Sequence, residues 1–110
     1  NLISKNQFNQ MRSDAFIINT ARGGIVNEQD LYEVLSEEKL GGAAIDVFEE
    51  EPYEGNLSEL DNILMTPHMG SCSFDCRARM ELEATEDVIR FFQGKLLQNE
   101  VPEEEYFYQE

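Results

Sequence analysis

Short apolar runs alternate with amphipathic stretches along this chain, and the alternation predicts strands interleaved with helices. Ala15-Phe16-Ile17-Ile18 is an unbroken apolar run bounded by polar and glycine signals, the pattern of a strand covered on both faces. Gly42-Ala43-Ala44-Ile45-Asp46-Val47-Phe48 predicts a second buried strand whose small residues let a helix pack closely, and Ile63-Leu64-Met65 a third. Between the first two, Leu31, Val34 and Leu35 mark one face of a helix. Asn27 offers its cap, Glu28 and Asp30 sit at the positive end of its dipole, and Gly41-Gly42 is expected to end it. Ahead of the first strand, Ser4-Lys5-Asn6-Gln7 reads as a capping box with Ile3 and Phe8 as a hydrophobic staple, giving a short helix from Lys5 to Met11.

Beyond the third strand, Ser73 to Gln93 predicts a long helix closed by Gly94. Its apolar positions, among them Met80, Val88, Phe91 and Leu82, cover about half the circumference, wider than the ~100° stripe of an ordinary surface helix. The helix is therefore expected to pack against more than the three-stranded sheet. Residues 100–110, rich in glutamate with Tyr106, Phe107 and Tyr108, read as an irregular acidic tail.

Strand, helix, strand, loop, strand is the rhythm of an α/β fold with a parallel sheet. In such sheets ligands bind at the carboxyl ends of the strands, and right-handed crossovers bring those ends to one edge. Arg22 follows the first strand, Asp46 and Glu51 lie at and beyond the second, and His68 follows the third. A histidine near a carboxylate makes a general acid/base pair, and an arginine fork holds an anionic substrate. Each residue also has a plainer reading. Arg22 serves equally as a loop arginine pairing with a carbonyl or an acid, Glu51 as one member of the solvated run Glu49-Glu50-Glu51, and His68 as a helix-entry residue. Asp46, inside an apolar strand, needs either a backbone partner or a ligand, and the ligand is the favoured reading.

Composition narrows the classes of partner. The chain has 110 residues, 41% of them hydrophobic, enough for one modest domain with a core. Its formal charge of −15 disfavours nucleic acid and anionic membrane surfaces. No apolar run reaches the ~20 residues of a membrane span, and no signal peptide is visible, so a cytoplasmic protein is expected. Cys72 and Cys76, four apart, are expected to share a helical face as thiols. With His68 they stand at successive four-residue steps, but a fourth zinc ligand is lacking and no metal site is expected.

Asn19-Thr20-Ala21-Arg22-Gly23, the run from Gly42 through Asp46 to Glu51-Pro52, and Thr66-Pro67-His68-Met69-Gly70 together resemble the D-isomer-specific 2-hydroxyacid dehydrogenases. The likeness is greatest to the phosphoglycerate-dehydrogenase-like branch. The resemblance implies that Arg22 binds and polarises a 2-keto acid, that His68 exchanges the hydroxyl proton, and that Glu51 pairs with His68. It places Thr20, Ala21, Arg22, Asp46, His68 and Gly70 near the nicotinamide side of an NAD cofactor, with NADP left open. A small 2-keto or 2-hydroxy acid is the implied substrate and a homodimer the implied assembly. The family also includes corepressors, so a non-catalytic NAD-responsive binding protein is the alternative.

No G-x-G-x-x-G occurs in the 110 residues. The chain is therefore expected to be the C-terminal half of a dinucleotide-binding domain, the second half of a Rossmann-type doubly wound sheet, with the glycine loop and substrate domain upstream. Taken alone, it is expected to fold, to lack activity and to self-associate through uncovered apolar surface.

Overall fold

A computed structural model describes residues 1–108, which form two compact units, Asn1–Gly70 and a second from Ser71 onward. The first unit contains α1 (Lys5–Phe8), β1 (Phe16–Asn19), α2 (Glu28–Ser36), β2 (Gly42–Ile45), a 3-10 turn (Asn56–Glu59) and β3 (Ile63–Met65). Its strands form one parallel sheet in the order β1-β2-β3, with Ile17 beside Ala43 and Ala44 beside Leu64. This is the three-stranded parallel α/β sheet that the sequence pattern predicts.

Strand alternation decides what is buried. Leu31, Val34 and Leu35 of α2 pack with Phe8, Ala43, Ile45 and Leu57 into one core. Leu31 and Leu35 are each 1% exposed, a burial that contributes roughly 2 kcal/mol per side chain. Phe16, Ile18 and Leu64 occupy the alternate positions and are 69%, 70% and 65% exposed. The expectation of a first strand covered on both faces therefore fails. The helical residues of this core come from α1, α2 and the 3-10 turn and line only the other set of strand positions.

The helix ends differ from the sequence reading in an instructive way. In α1, Gln7 Oε1 accepts from the Ser4 N–H at 3.1 Å and its hydroxyl at 2.9 Å. The expected stretch to Met11 continues only as turns, in which the Met11 N–H reaches back to the Phe8 carbonyl. At the start of α2, Asn27 Oδ1 accepts the Asp30 N–H at 2.8 Å, as its cap position predicts. The other end lies at Ser36 rather than at Gly41-Gly42. There the Lys39 N–H bonds the Val34 carbonyl at 2.8 Å and the Glu38 N–H the Leu35 carbonyl at 3.1 Å, a Schellman closure with Glu38 at φ +53°.

A glutamate at that left-handed position carries a steric cost that glycine avoids. Glu38→Gly is expected to stabilise the fold by about 0.5–1 kcal/mol, the relief of that cost less the greater chain entropy of glycine. Urea denaturation checks this, and an unchanged or lower midpoint would contradict it.

The second unit holds α3 (Phe74–Phe92), capped by Ser73 Oγ accepting the Cys76 N–H at 3.3 Å. Gly94 at φ +65° closes it as expected. Asp87 accepts the Gln98 and Asn99 N–H groups at 2.8 and 2.9 Å and so ties down the following segment. No residue of α3 is buried, in line with the apolar surface expected to be uncovered in this chain taken alone. Cys72 precedes the cap while Cys76 lies in the first turn, so the two do not share a helical face. A 3-10 helix (Glu103–Tyr108) replaces the expected irregular tail, of which Gln109 and Glu110 lie outside the described residues. No helix among the described residues is long and apolar enough to cross a membrane.

Candidate active site

The carboxyl ends of the three strands are stitched together by backbone. The Asp46 N–H bonds the Asn19 carbonyl at 2.9 Å, and the His68 N–H bonds the Asp46 carbonyl at 2.8 Å. Parallel pairing thus continues past the strands and brings the loops carrying Arg22, Asp46 and His68 to one edge. Thr20, Ala21 and Gly70 are exposed on these same loops.

His68 adopts φ +50°, a left-handed conformation uncommon outside glycine, and such outliers gather where the surroundings over-determine the chain. Buried Asp46 provides that constraint. Its Oδ1 accepts from the Thr66 hydroxyl and from the Met69 N–H at 2.9 Å, and its Oδ2 from the Gly70 N–H at 3.1 Å. The partner demanded by burial therefore comes from the chain itself. Each carboxylate oxygen accepts two hydrogen bonds, so Oδ2 retains capacity for one donor more.

Glu51 bridges the second and third loops. One oxygen accepts the Phe48 N–H at 3.0 Å, and the other lies 2.8 Å from His68 Nδ1. With the glutamate ionised, Nδ1 carries a proton toward it. The Arg22 side chain is not part of this pair. It is exposed and donates from Nη1 to the Ala21 carbonyl at 2.7 Å.

Beside the pair is a cavity of about 540 Å³ lined by Phe48, Pro52, Tyr53, Met65 and Pro67 together with Glu51 and His68. Its size and largely apolar lining suit a small organic molecule. The Phe48 and Tyr53 rings stack there with centroids 4.5 Å apart.

Both carboxylates hold their charge more firmly than usual. The Thr66 hydroxyl first and the Met69 amide next lower the Asp46 pKa against its burial. The Phe48 amide first and the His68 hydrogen bond next lower that of Glu51. A folded-state pKa below the unfolded one stabilises the fold above about pH 4, and the stabilisation is lost as pH falls through the lower folded value. Asp46→Asn and Glu51→Gln are accordingly expected to lose less stability than the parent between pH 6 and pH 3. Chemical denaturation at the two pH values measures this, and equal losses would contradict it.

Residues 1–70 match the family of D-isomer specific 2-hydroxyacid dehydrogenases, NAD binding domain. The chain belongs to that family. It is 40% identical over 101 residues to a D-3-phosphoglycerate dehydrogenase of Methanocaldococcus jannaschii, an alignment covering 91% of this chain and 19% of that protein. It is 36% identical over 105 residues to a glyoxylate reductase of Korarchaeum cryptofilum, covering 94% of this chain and 32% of the relative. Among solved structures, D-mandelate dehydrogenase of Rhodotorula graminis superposes with a TM-score of 0.85 at 31% identity, over 93% of this chain and 30% of that one. The chain thus spans between a fifth and a third of the length of these 2-hydroxyacid dehydrogenases.

The polar groups on this edge are of a kind that could hold part of the family's NAD. Exposed loop backbone at Thr20, Ala21 and Gly70 shares the strand edge with an Asp46 oxygen that has acceptor capacity left. The sequence contains no glycine loop for the pyrophosphate. Sequence reasoning missed three contributors: Thr66, which bonds Asp46; Asn19, which shapes the Arg22 loop; and Gly23, which lets that loop meet Phe48. For Asn19 and Thr66 the available signal was position, a polar residue immediately after an apolar run.

Proposed function

We propose that this chain is the C-terminal half of a dinucleotide-binding domain, and that it carries the catalytic residues of an oxidoreductase interconverting a 2-keto acid and a D-2-hydroxy acid. The observation that supports this best is the His68–Glu51 pair at 2.8 Å on the edge that also bears the Arg22 loop. When bound, the reduced nicotinamide cofactor would supply the hydride for C2 of the keto acid. His68 gives its proton to the carbonyl oxygen as that oxygen takes up the bonding pair, and in the reverse direction removes the hydroxyl proton. Glu51 orients the ring and balances the charge of the protonated form. Arg22, turning outward from Ala21, receives the substrate carboxylate in its fork of donors. Asp46 holds the His68 loop, and its remaining acceptor site together with Thr20, Ala21 and Gly70 would hold the nicotinamide end of the cofactor.

The parent is proposed to be a cytoplasmic homodimer acting on a small 2-keto or 2-hydroxy acid, possessing an upstream glycine loop whose following selector residue would set the choice between NAD and NADP. The test is turnover of a 2-keto acid panel by the full-length protein with NADH and with NADPH. Reduction of a panel member with NADH is the expected result. Binding of NADH without turnover of any member would favour the non-catalytic reading instead.

A further inference from the structure

Asn19 ends β1 with only 6% of its surface exposed, yet both ends of its side-chain amide are engaged by the residues that follow. Nδ2 donates to the Arg22 carbonyl at 3.0 Å, and Oδ1 accepts the Ala21 N–H at 3.2 Å. The ring so formed is an Asx-type turn, in which a side chain substitutes for backbone in fixing a loop. The loop is held at its far end as well. A Cβ on Gly23 would lie 2.0 Å from the Phe48 carbonyl oxygen, so the two backbones are in direct contact there. Between these points stand Thr20, Ala21 and Arg22, and of the three only Arg22 has a long charged side chain.

We infer that Asn19 is a positioning residue for Arg22: it fixes the backbone from which the guanidinium reaches the substrate carboxylate. This rests on the reading of Arg22 as the substrate's partner. The Asn19 carbonyl also receives the Asp46 N–H, which places the Arg22 loop in register with the loop of His68. Alanine at this position leaves the Arg22 carbonyl and the Ala21 N–H without their partner. Aspartate keeps the acceptor and the shape but, ionised, has no donor for Arg22.

The test is a double-mutant cycle in the full-length protein, read as KM for the 2-keto acid, kcat, and NADH affinity. Asn19→Ala is expected to raise KM roughly tenfold, with smaller changes in kcat and in NADH affinity, the latter because the same turn carries Thr20 and Ala21. In an Arg22→Ala background the same change should add little, because the residue through which Asn19 acts is gone. A purely structural role would instead lower activity equally in both backgrounds, and that result overturns the inference. Asn19→Asp, which retains one of the two hydrogen bonds, carries the cycle if Asn19→Ala does not fold. If Arg22→Ala alone leaves KM unchanged, the assignment of Arg22 fails, an outcome distinct from failure of the role given to Asn19.

Discussion

Replacement of His68 by alanine in the parent enzyme is expected to lower kcat by about 10²–10⁴-fold, the usual worth of a positioned general acid/base, with little change in KM. In the proposed mechanism the loss falls on kcat, because His68, held through Nδ1 by Glu51, would contribute a proton while Arg22 would meet the substrate's charge. Arg22→Ala should for that reason raise KM as well. Because His68 sits at φ +50°, alanine also adds backbone strain. Asparagine tolerates that region better, so His68→Asn separates the two effects. It should keep the loop and still lose the rate, and near-normal turnover in either variant would overturn the assignment.

Gly23→Ala is expected to destabilise the fold by about 3 kcal/mol and to disable the site in the molecules that remain folded. The added Cβ would lie 2.0 Å from the Phe48 oxygen, 2.3 Å from its carbonyl carbon and 2.7 Å from the Glu49 nitrogen. All three are backbone atoms, so no side chain can swing aside. The displaced segment includes the Phe48 N–H that holds Glu51, and through Glu51 the orientation of His68. Gly24→Ala is the natural comparison. Gly24 has φ +75° but nothing within 4 Å of its missing Cβ, so only about 1 kcal/mol of backbone strain is expected. Equal destabilisation of the two variants in urea would contradict this account of Gly23.

Much of this arrangement was legible in the sequence because it depends on local pattern. Ile63-Leu64-Met65 is a strand as read, Asn27 caps α2 as read, and Gly94 closes α3 as read. Glu51 was harder to distinguish from its acidic neighbours, and only the fold turns its side chain toward Phe48 and His68. The errors share a physical origin. Glu38 in a left-handed conformation ends α2 early, which residue preferences do not reveal. The exposed set Phe16, Ile18 and Leu64 looks in sequence like any buried run, since an apolar pattern records which surfaces are suited to cover but not what covers them. Asn19 and Thr66 act by hydrogen bonds to residues whose proximity only the loop geometry defines.

The central claim is that this strand edge carries out reduction at C2 of a keto acid with proton delivery from His68. Its most direct test is reduction of a 2-keto acid by the full-length protein with NADH deuterated at the transferring position, followed by chiral analysis and mass spectrometry of the product. The expected product is the D-2-hydroxy acid bearing one deuterium at C2, formed at a rate that collapses in His68→Asn. An L product, an unlabelled C2, or equal rates in the parent and the His68 variant would contradict the account.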